Sequence, residues 1–301
     1  MPQSRRKEVC VMYSIVTDSC TDLNRELINS FDELIILPMS YTISGETNTQ
    51  AFYSEDTIKA FYNRLRNGEN CTTAQVSPGE FYEAYKQLVQ QGKAVLSVQF
   101  SSALSGTHSA ALMAREMVLE EYPDAVIEVV DSLGASAGEG LMVYDALLNR
   151  EAGMDVVENA KWLRAHTQNY VMWFTVDDLQ FLKRGGRCSP SAAFFGSMLS
   201  IKPVLHVDAS GRLIARQKVR GRHQALKALA AKFGELNNAI DQAMFISHAD
   251  CFDDAMFLKK QLVEVYGCTA DKIILSNIGP VIGSHSGPGT VAFFFHGKDR
   301  G

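Results

Sequence analysis

The sequence predicts an α/β fold made of two α/β domains, and three observations lead to that prediction. The chain has 301 residues, which exceeds the usual size of a single domain. Asp208-Ala209-Ser210-Gly211 separates two apolar runs and predicts a hairpin, so the C-terminal sheet is mixed. In the N-terminal half, three apolar runs end in Ser, Thr or Asp just before a helical pattern, which is typical of a mainly parallel sheet flanked by helices. Those three endings are Thr17-Asp18-Ser19, Ser101-Ser102 and Asp131-Ser132.

Strands and helices alternate along the predicted N-terminal domain, residues 12–160. Ser54 with acidic residues after it begins one helix, because acids suit the positive end of the helix dipole. Ser77-Pro78-Gly79-Glu80 is a capping box with proline in the first turn and begins another. The predicted strands are 10–16, 34–39, 94–98 and 125–130, and the predicted helices are 22–31, 54–66, 78–91, 108–122 and one that contains Gly138 and Gly140.

The pattern changes near Gly153, and we assign residues 161–301 to the C-terminal domain. Asp155 followed by Glu158 begins the helix that leads into it. The predicted strands are 170–176, 203–207, 213–219, 243–247, 272–275 and 291–295. The predicted helices after residue 166 are 177–183, an apolar helix that starts at Ser189-Pro190, 223–236 and 253–266.

Composition excludes several classes of protein. Hydrophobic residues make up 46% of the chain, enough for a sizeable core, and the net charge of -5 argues against a nucleic-acid binder. The six cysteines form no CxxC pair, so we expect reduced thiols, no metal site and a cytoplasmic protein. The apolar run at 9–16 is too short for a signal peptide, and we expect no membrane insertion. GxxxxGK[ST] and GxGxxG motifs are missing, so nucleotide chemistry by this chain alone is not expected.

Two loops carry the candidate binding residues. The stretch that follows the strand at 94–98 is rich in hydroxyls, and hydroxyls with free N–H groups at a helix start favour an anion. Gly283-Ser284-His285-Ser286-Gly287-Pro288-Gly289 predicts a tight, irregular loop whose only titratable side chain is His285. A turn with an incidental histidine is the alternative. Ser101 or Ser102 with His285 and Asp131 can also be arranged on paper as a hydrolase triad, although no GxSxG elbow is present.

Basic residues are concentrated between Lys183 and Arg222. This tract has nine Lys and Arg residues and a single acid, Asp208, although the whole chain is acidic. Such a tract is either a solvated face or a surface that meets phosphate or an acidic protein partner. Glycines within Lys183-Arg184-Gly185-Gly186-Arg187 would let a partner approach the backbone closely.

Taken in order, these motifs resemble those of the DegV family over nearly the whole chain, from about Met12 onward. Val76 departs from the pattern, since the family usually has proline there, and Ala74 replaces a serine. The matching stretches are Thr17-Asp18-Ser19, Thr73 to Phe81, Ser101-Ser102, Leu104-Ser105-Gly106-Thr107, Val130-Asp131-Ser132, Lys183 to Arg187, Ile201-Lys202-Pro203, His248-Ala249-Asp250, Gly279-Pro280-Val281-Ile282 and His285 to Gly289.

The resemblance implies a non-catalytic protein that holds a long-chain fatty acid between its two domains. It further implies that a separate ATP-binding kinase subunit phosphorylates the bound carboxylate to an acyl phosphate, and that the chain needs no cofactor and is a monomer when free. Carried onto this sequence, the carboxylate contacts are Thr73, Ser101 or Ser102, and His285. Arg184 and Arg187 are candidates for docking the kinase subunit or steadying the phosphoryl group. Candidate tail-lining residues, with ordinary helix core as the alternative, are Phe194, Phe195, Met198, Leu199 and Ile201.

Overall fold

The computed structural model describes residues 13–187, 201–238 and 240–301. Its strands form three sheets. The strands are β1 (Tyr13–Asp18), β2 (Leu34–Leu37), β3 (Ser40–Ile43), β4 (Glu46–Thr49), β5 (Cys71–Ala74), β6 (Ala94–Gln99), β7 (Ile127–Asp131), β8 (Tyr170–Thr175), β9 (Ile201–Val207), β10 (Leu213–Arg220), β11 (Met244–His248), β12 (Ile273–Asn277) and β13 (Val291–His296). The helices are α1 (Arg25–Asn29), α2 (Glu55–Arg66), α3 (Pro78–Gln90), α4 (Thr107–Glu121), α5 (Ala137–Glu151), α6 (Val156–His166), α7 (Gln180–Arg184), α8 (Arg222–Leu236), α9 (Phe252–Tyr266) and α10 (Pro280–Ser286).

The first sheet is parallel, in the order β2-β1-β6-β7. Its central strands β1 and β6 are buried along their whole length, as strands covered on both faces must be. Because neighbouring strands run in the same direction, the polar clusters after β1, β6 and β7 come to the same edge of the sheet. The predicted parallel sheet is confirmed.

The second sheet has six strands in the order β10-β9-β8-β13-β11-β12 and is mixed. Only β11 and β12 pair in parallel, and the other neighbours are antiparallel. The β9–β10 hairpin turns at Asp208, whose carboxylate accepts hydrogen bonds from the backbone N–H groups of Ser210 and Arg212. The predicted mixed sheet is confirmed, and the division of domains at residue 160 stays a prediction.

The third sheet was not predicted. It is antiparallel, with the order β4-β3-β5, and each strand has only four residues. Its residues are largely polar, so their alternation carries no hydrophobic signal. In the β3–β4 turn Ser44 and Gly45 have φ values of 49° and 84°, a backbone conformation that the sequence pattern does not predict.

Helix starts follow the predicted caps closely. Ser54 accepts a hydrogen bond from the Thr57 N–H, and both halves of the Ser77–Glu80 capping box are present. The first helix is shorter than predicted, because Asp22 takes a left-handed φ of 48° and α1 begins only at Arg25. The apolar helix predicted from Ser189 lies outside the described residues. In the part of the chain that the structure describes, no helix is both long and apolar enough to span a bilayer.

Helix α5 packs against both large sheets and joins them in one apolar core. Two glycines permit this close approach on opposite sides. A Cβ on Gly138 would lie 2.7 Å from Met172 Sδ in the second sheet. A Cβ on Gly140 would lie 2.6 Å from the carbonyl oxygen of Thr21, next to the first sheet. The two sheets are therefore held against one shared helix.

Candidate functional site

A cavity of about 360 Å³ lies between the two large sheets. This volume falls within the usual range for small-molecule sites. Its walls combine apolar side chains of the second sheet, and of the segments that follow β1, β2 and β6 of the first sheet, with a small group of polar residues. The apolar lining is Cys20, Met39, Ala74, Phe100, Leu104, Ala135, Phe174, Leu182, Val207, Leu213, Ile278, Val281, Ile282, Ala292 and Phe294, and the polar lining is Thr73, Gln75, Ser105, Ser136, Arg187, His285, Ser286 and Thr290.

Thr73 and His285 meet at the polar side of this cavity. Thr73 Oγ1 and His285 Nε2 share a hydrogen bond of 2.8 Å, although 212 positions separate them in the chain. Thr73 lies on β5, a strand that was not predicted from the sequence. His285 lies in the last turn of α10, so the predicted irregular loop is corrected: Pro280 begins a helix, and the positive φ values occur only at Gly287 and Gly289.

The imidazole of His285 is held neutral. Burial and, to a smaller extent, the positive charge of Arg187 lower the pKa of His285 to about 4. Its Nδ1 atom has no hydrogen-bond partner among the described residues and packs against Gly185, where a Cβ would lie only 2.2 Å away. Gly185 therefore makes room for the ring while Thr73 orients it.

The hydroxyl-rich loop contributes Ser105 and Gly106 to the cavity, not Ser101 or Ser102. Ser101 is fully buried and its hydroxyl donates to the Gly211 carbonyl oxygen at 2.9 Å, so a long-range contact turns it away. Ser102 is exposed, and its backbone N–H donates to Asp131. The structure thus brings together Thr73 and His285 but neither of the serines chosen from the sequence.

Ser105 stands at the start of α4, a helix of 15 residues. Its Oγ accepts a hydrogen bond from the Thr107 N–H and contacts the Thr107 hydroxyl at 2.9 Å. Gln75 covers Gly106 so closely that a Cβ there would lie 2.2 Å from Gln75 Oε1. The positive end of the α4 dipole therefore points to the same polar region as Arg187 and favours a negative group there.

A buried carboxyl group anchors the start of α10. Asp22 accepts hydrogen bonds from the Gly279 N–H at 2.8 Å and from the Ser136 hydroxyl at 2.5 Å. Ser136 also contacts the Ser247 hydroxyl and has a strained backbone, with φ 55° and ψ -146°. Burial raises the pKa of Asp22 to about 7 despite these hydrogen bonds. The helix that carries His285 is thereby tied to β1 and to α5.

Outside the Thr73–His285 pair lies a second hollow of about 280 Å³. Thr73, Arg187 and His285 line both spaces and so form the wall between them. Arg187 Nε donates to the Leu104 carbonyl oxygen at 3.1 Å, which fixes the guanidinium beside the Ser105 loop. Arg184 lines only the outer hollow, where it stacks over the Phe181 ring at 4.5 Å.

The described residues do not assemble a hydrolase triad. A serine nucleophile needs a hydrogen bond to its histidine base, but His285 Nε2 is paired with Thr73 and Ser101 is paired with Gly211. Asp131 accepts from the Ser102 and Leu133 N–H groups instead of orienting a histidine. Within 13–187, 201–238 and 240–301, no cluster of His, Cys, Asp or Glu could hold a metal ion.

Most of the predicted tail-lining residues cannot be placed. Phe194, Phe195, Met198 and Leu199 lie outside the described residues. Ile201 is described, but it begins β9 and is not part of the cavity wall. The apolar wall comes instead from strands of the second sheet, from α7 and α10, and from residues that follow β1, β2 and β6 of the first sheet. These residues appear in the sequence as ordinary core, so no local pattern singles them out.

Comparison with known proteins agrees with this architecture. A family model described as "Uncharacterised protein, DegV family" matches residues 12–298. A DegV domain-containing protein of Clostridium perfringens is 42% identical over 292 residues, covering 96% of this chain and 98% of the relative. A solved DegV family protein of Thermus thermophilus, described by its fatty acid binding, has TM-score 0.81 and 29% identity and covers 95% of this chain and 99% of that one. A fatty acid binding DegV family protein of Streptococcus agalactiae has TM-score 0.83 and 28% identity, with coverage of 96% and 100%. The chain belongs to the DegV family.

Proposed function

We propose that this chain binds a long-chain fatty acid, with the hydrocarbon in the cavity between the sheets and the carboxylate at Thr73, Ser105 and His285. The observation that carries the proposal is a largely apolar cavity with its hydroxyl, imidazole and guanidinium groups gathered around the Thr73–His285 pair. The solved relatives from Thermus thermophilus and Streptococcus agalactiae, which are described as binding fatty acids, support it.

The two ends of the ligand contribute unequally to the binding free energy. Burying about sixteen carbons at roughly 0.8 kcal/mol for each CH₂ contributes on the order of 10 kcal/mol before the costs of immobilisation. Each hydrogen bond to a carboxylate adds about 1.5–3 kcal/mol at most. The hydrocarbon therefore supplies most of the affinity, and the polar contacts decide which oxygen of the carboxylate is offered outward.

The outer hollow supports a second part of the proposal, in which a separate ATP-binding kinase subunit phosphorylates the bound carboxylate. One carboxylate oxygen attacks the γ-phosphorus of ATP, the bond from that phosphorus to the bridging oxygen breaks, and ADP leaves. The approach to the Thr73–His285 wall from outside is lined by Arg184 and Arg187, whose guanidinium groups suit a phosphoryl group or an acidic partner.

Mass spectrometry of the ligand and oleate titration test the binding proposal. Denaturing the purified chain should release a long-chain fatty acid, and the delipidated chain should take up oleate. Thr73→Val removes the hydroxyl at nearly constant volume, and we expect it to weaken oleate binding about tenfold. Thr49→Val, at an exposed position of the same small sheet, is the matched control. A ligand-free chain that takes up neither oleate nor palmitate would refute the proposal.

Reconstitution tests the partnership. With a bacterial fatty acid kinase subunit, ATP and oleate, we expect an acyl phosphate that hydroxylamine traps as the hydroxamate. Arg184→Glu changes a residue that lines only the outer hollow, and it should abolish the product while sparing oleate binding. Lys161→Glu, an exposed charge reversal on α6, should leave both the product and oleate binding unchanged. If the Arg184→Glu chain still supports full turnover, Arg184 does not meet the partner.

A further inference from the structure

A second and larger cavity, of about 790 Å³, lies at the opposite end of β13 from the first. Ala292 and Phe294 of that strand line the first cavity, and His296 at its end lines the second. The C-terminal halves of α5 and α6 form one side, and the segments that precede β11 and β12 form the other. No part of the proposed fatty acid site is shared with it.

The asparagines of this cavity have their side-chain orientations fixed by the acceptors they bind. Asn169 Nδ2 donates to the carbonyl oxygens of Gly297 and Lys298, and Asn238 Nδ2 donates to Gly297. Asn149 Nδ2 donates to the Asn159 side-chain oxygen at 3.0 Å. Because all these partners are acceptors, each nitrogen is turned towards the protein, and among the described residues each Oδ1 atom is left to accept from another partner.

Carboxylates add to this excess of acceptors. Asp145 accepts from the Tyr170 hydroxyl and from His296 Nε2, both at 2.7 Å on the same oxygen, which leaves its other oxygen available. Asp241 and Asp271 line the rim, and in the described part of the chain neither forms an ion pair. Lys272 is the only Lys or Arg among the described lining residues.

Aromatic rings complete the wall. Tyr144 and Trp162 line the cavity, and His166 stacks on Trp162 with 4.2 Å between ring centroids. His166 Nδ1 donates to the Trp162 carbonyl oxygen at 2.8 Å, because a carbonyl can only accept. Carboxylates and aromatic rings together are typical of sites for organic cations.

We propose that this second cavity binds an organic cation with several N–H donors, of the diamine or polyamine class. Its acceptors are distributed around the wall, and no three metal-ligating side chains in the described residues converge enough for a metal ion. A long molecule with separated ammonium groups matches that distribution, because each group satisfies a different set of oxygens. An anion would meet three carboxylates and a single cationic side chain, Lys272, on the described part of the wall.

Isothermal titration of the full chain with spermidine and putrescine tests the proposal. We expect one saturable site for each amine and no binding of 1,4-butanediol, which has the carbon chain of putrescine without its charges. The double variant Asp241→Asn with Asp271→Asn should weaken spermidine binding about tenfold, since each exposed ion pair contributes up to about fivefold. Trp162→Leu should weaken it about three- to fivefold through loss of the cation–ring contact.

Asp124→Asn is the matched control, because it removes an exposed carboxylate from a turn that does not line the cavity. It should bind spermidine as the unaltered chain does. The proposal is overturned if neither amine binds saturably, if butanediol binds as well as putrescine, or if Asp124→Asn weakens spermidine binding as much as the double variant Asp241→Asn with Asp271→Asn does. Oleate binding should be the same in all these variants, so failure of the fatty acid proposal remains a separate result.

Discussion

Replacing Gly185 by alanine tests how His285 is held. The backbone of Gly185 has φ -72°, which alanine adopts without strain, so the substitution adds only a methyl group. That methyl would lie 2.2 Å from His285 Nδ1, and the ring has to shift by about 1.2 Å to reach ordinary contact at 3.4 Å. It cannot simply retreat, because Thr73 Oγ1 already lies 2.8 Å from the other ring nitrogen. We therefore expect the Thr73–His285 pair to break.

Loss of the polar contacts that this pair offers to a carboxylate costs about 1.5–3 kcal/mol, which corresponds to oleate binding roughly 10- to 100-fold weaker. Displacement of a fluorescent fatty acid measures the change, and thermal unfolding shows that the variant is folded. Gly79→Ala is the control, since a Cβ there has its nearest neighbour, Ser77 Oγ, at 3.9 Å. A folded Gly185→Ala chain with unchanged oleate affinity would refute the reasoning.

Three further predictions concern the cavity and the buried acids. Ser105→Ala should weaken oleate binding about tenfold while Ser102→Ala leaves it unchanged, and equal effects in the displacement assay would contradict the assignment of Ser105 to the cavity. The His285 ring should titrate near pH 4 in the delipidated chain and at a higher pH with oleate bound, because a carboxylate stabilises the imidazolium. NMR titration measures both midpoints, and the same midpoint with and without oleate would contradict this prediction. Burial raises the pKa of Glu139 well above its ordinary value, so the unfolded chain releases this proton at a lower pH than the folded chain, and stability falls as pH rises from the ordinary glutamate pKa towards that of the buried Glu139. Glutamine at this position does not ionise, so Glu139→Gln should raise the free energy of unfolding more at pH 9 than at pH 6. Urea denaturation that gives the same increase at the two pH values would contradict this prediction.

Local signals predicted the framework of this fold well. Ser54 and the Ser77–Glu80 box act on N–H groups within three residues, so the sequence alone places those helix starts. The parallel and mixed sheets followed from strand endings and one hairpin turn. The third sheet was not predicted because β3, β4 and β5 are short and polar. In addition, β3 pairs with β5 although α2 separates these strands in the sequence.

The features of the site that could not be predicted from the sequence depend on contacts between residues far apart in the chain. Which serine faces the cavity depends on the Gly211 carbonyl, 110 residues beyond Ser101, and no local pattern reports that contact. The Thr73–His285 pairing was predicted through the family resemblance, because nothing in either segment points to the other. The three glycines and the proline near His285 predict a loop, and they hide a helix whose N-cap residue, Gly279, is held by Asp22 from a distant part of the chain.

The position of α5 limits how a guest molecule can enter or leave the first cavity. If the two large sheets moved apart, α5 would lose its packing contacts on both sides at once. The motion would expose Leu141, Met142 and Val143, which are fully buried. Exposing such side chains costs about 1.5–3 kcal/mol each. The guest molecule therefore has to enter and leave through local movements at the rim of the cavity, while the two sheets stay packed against α5.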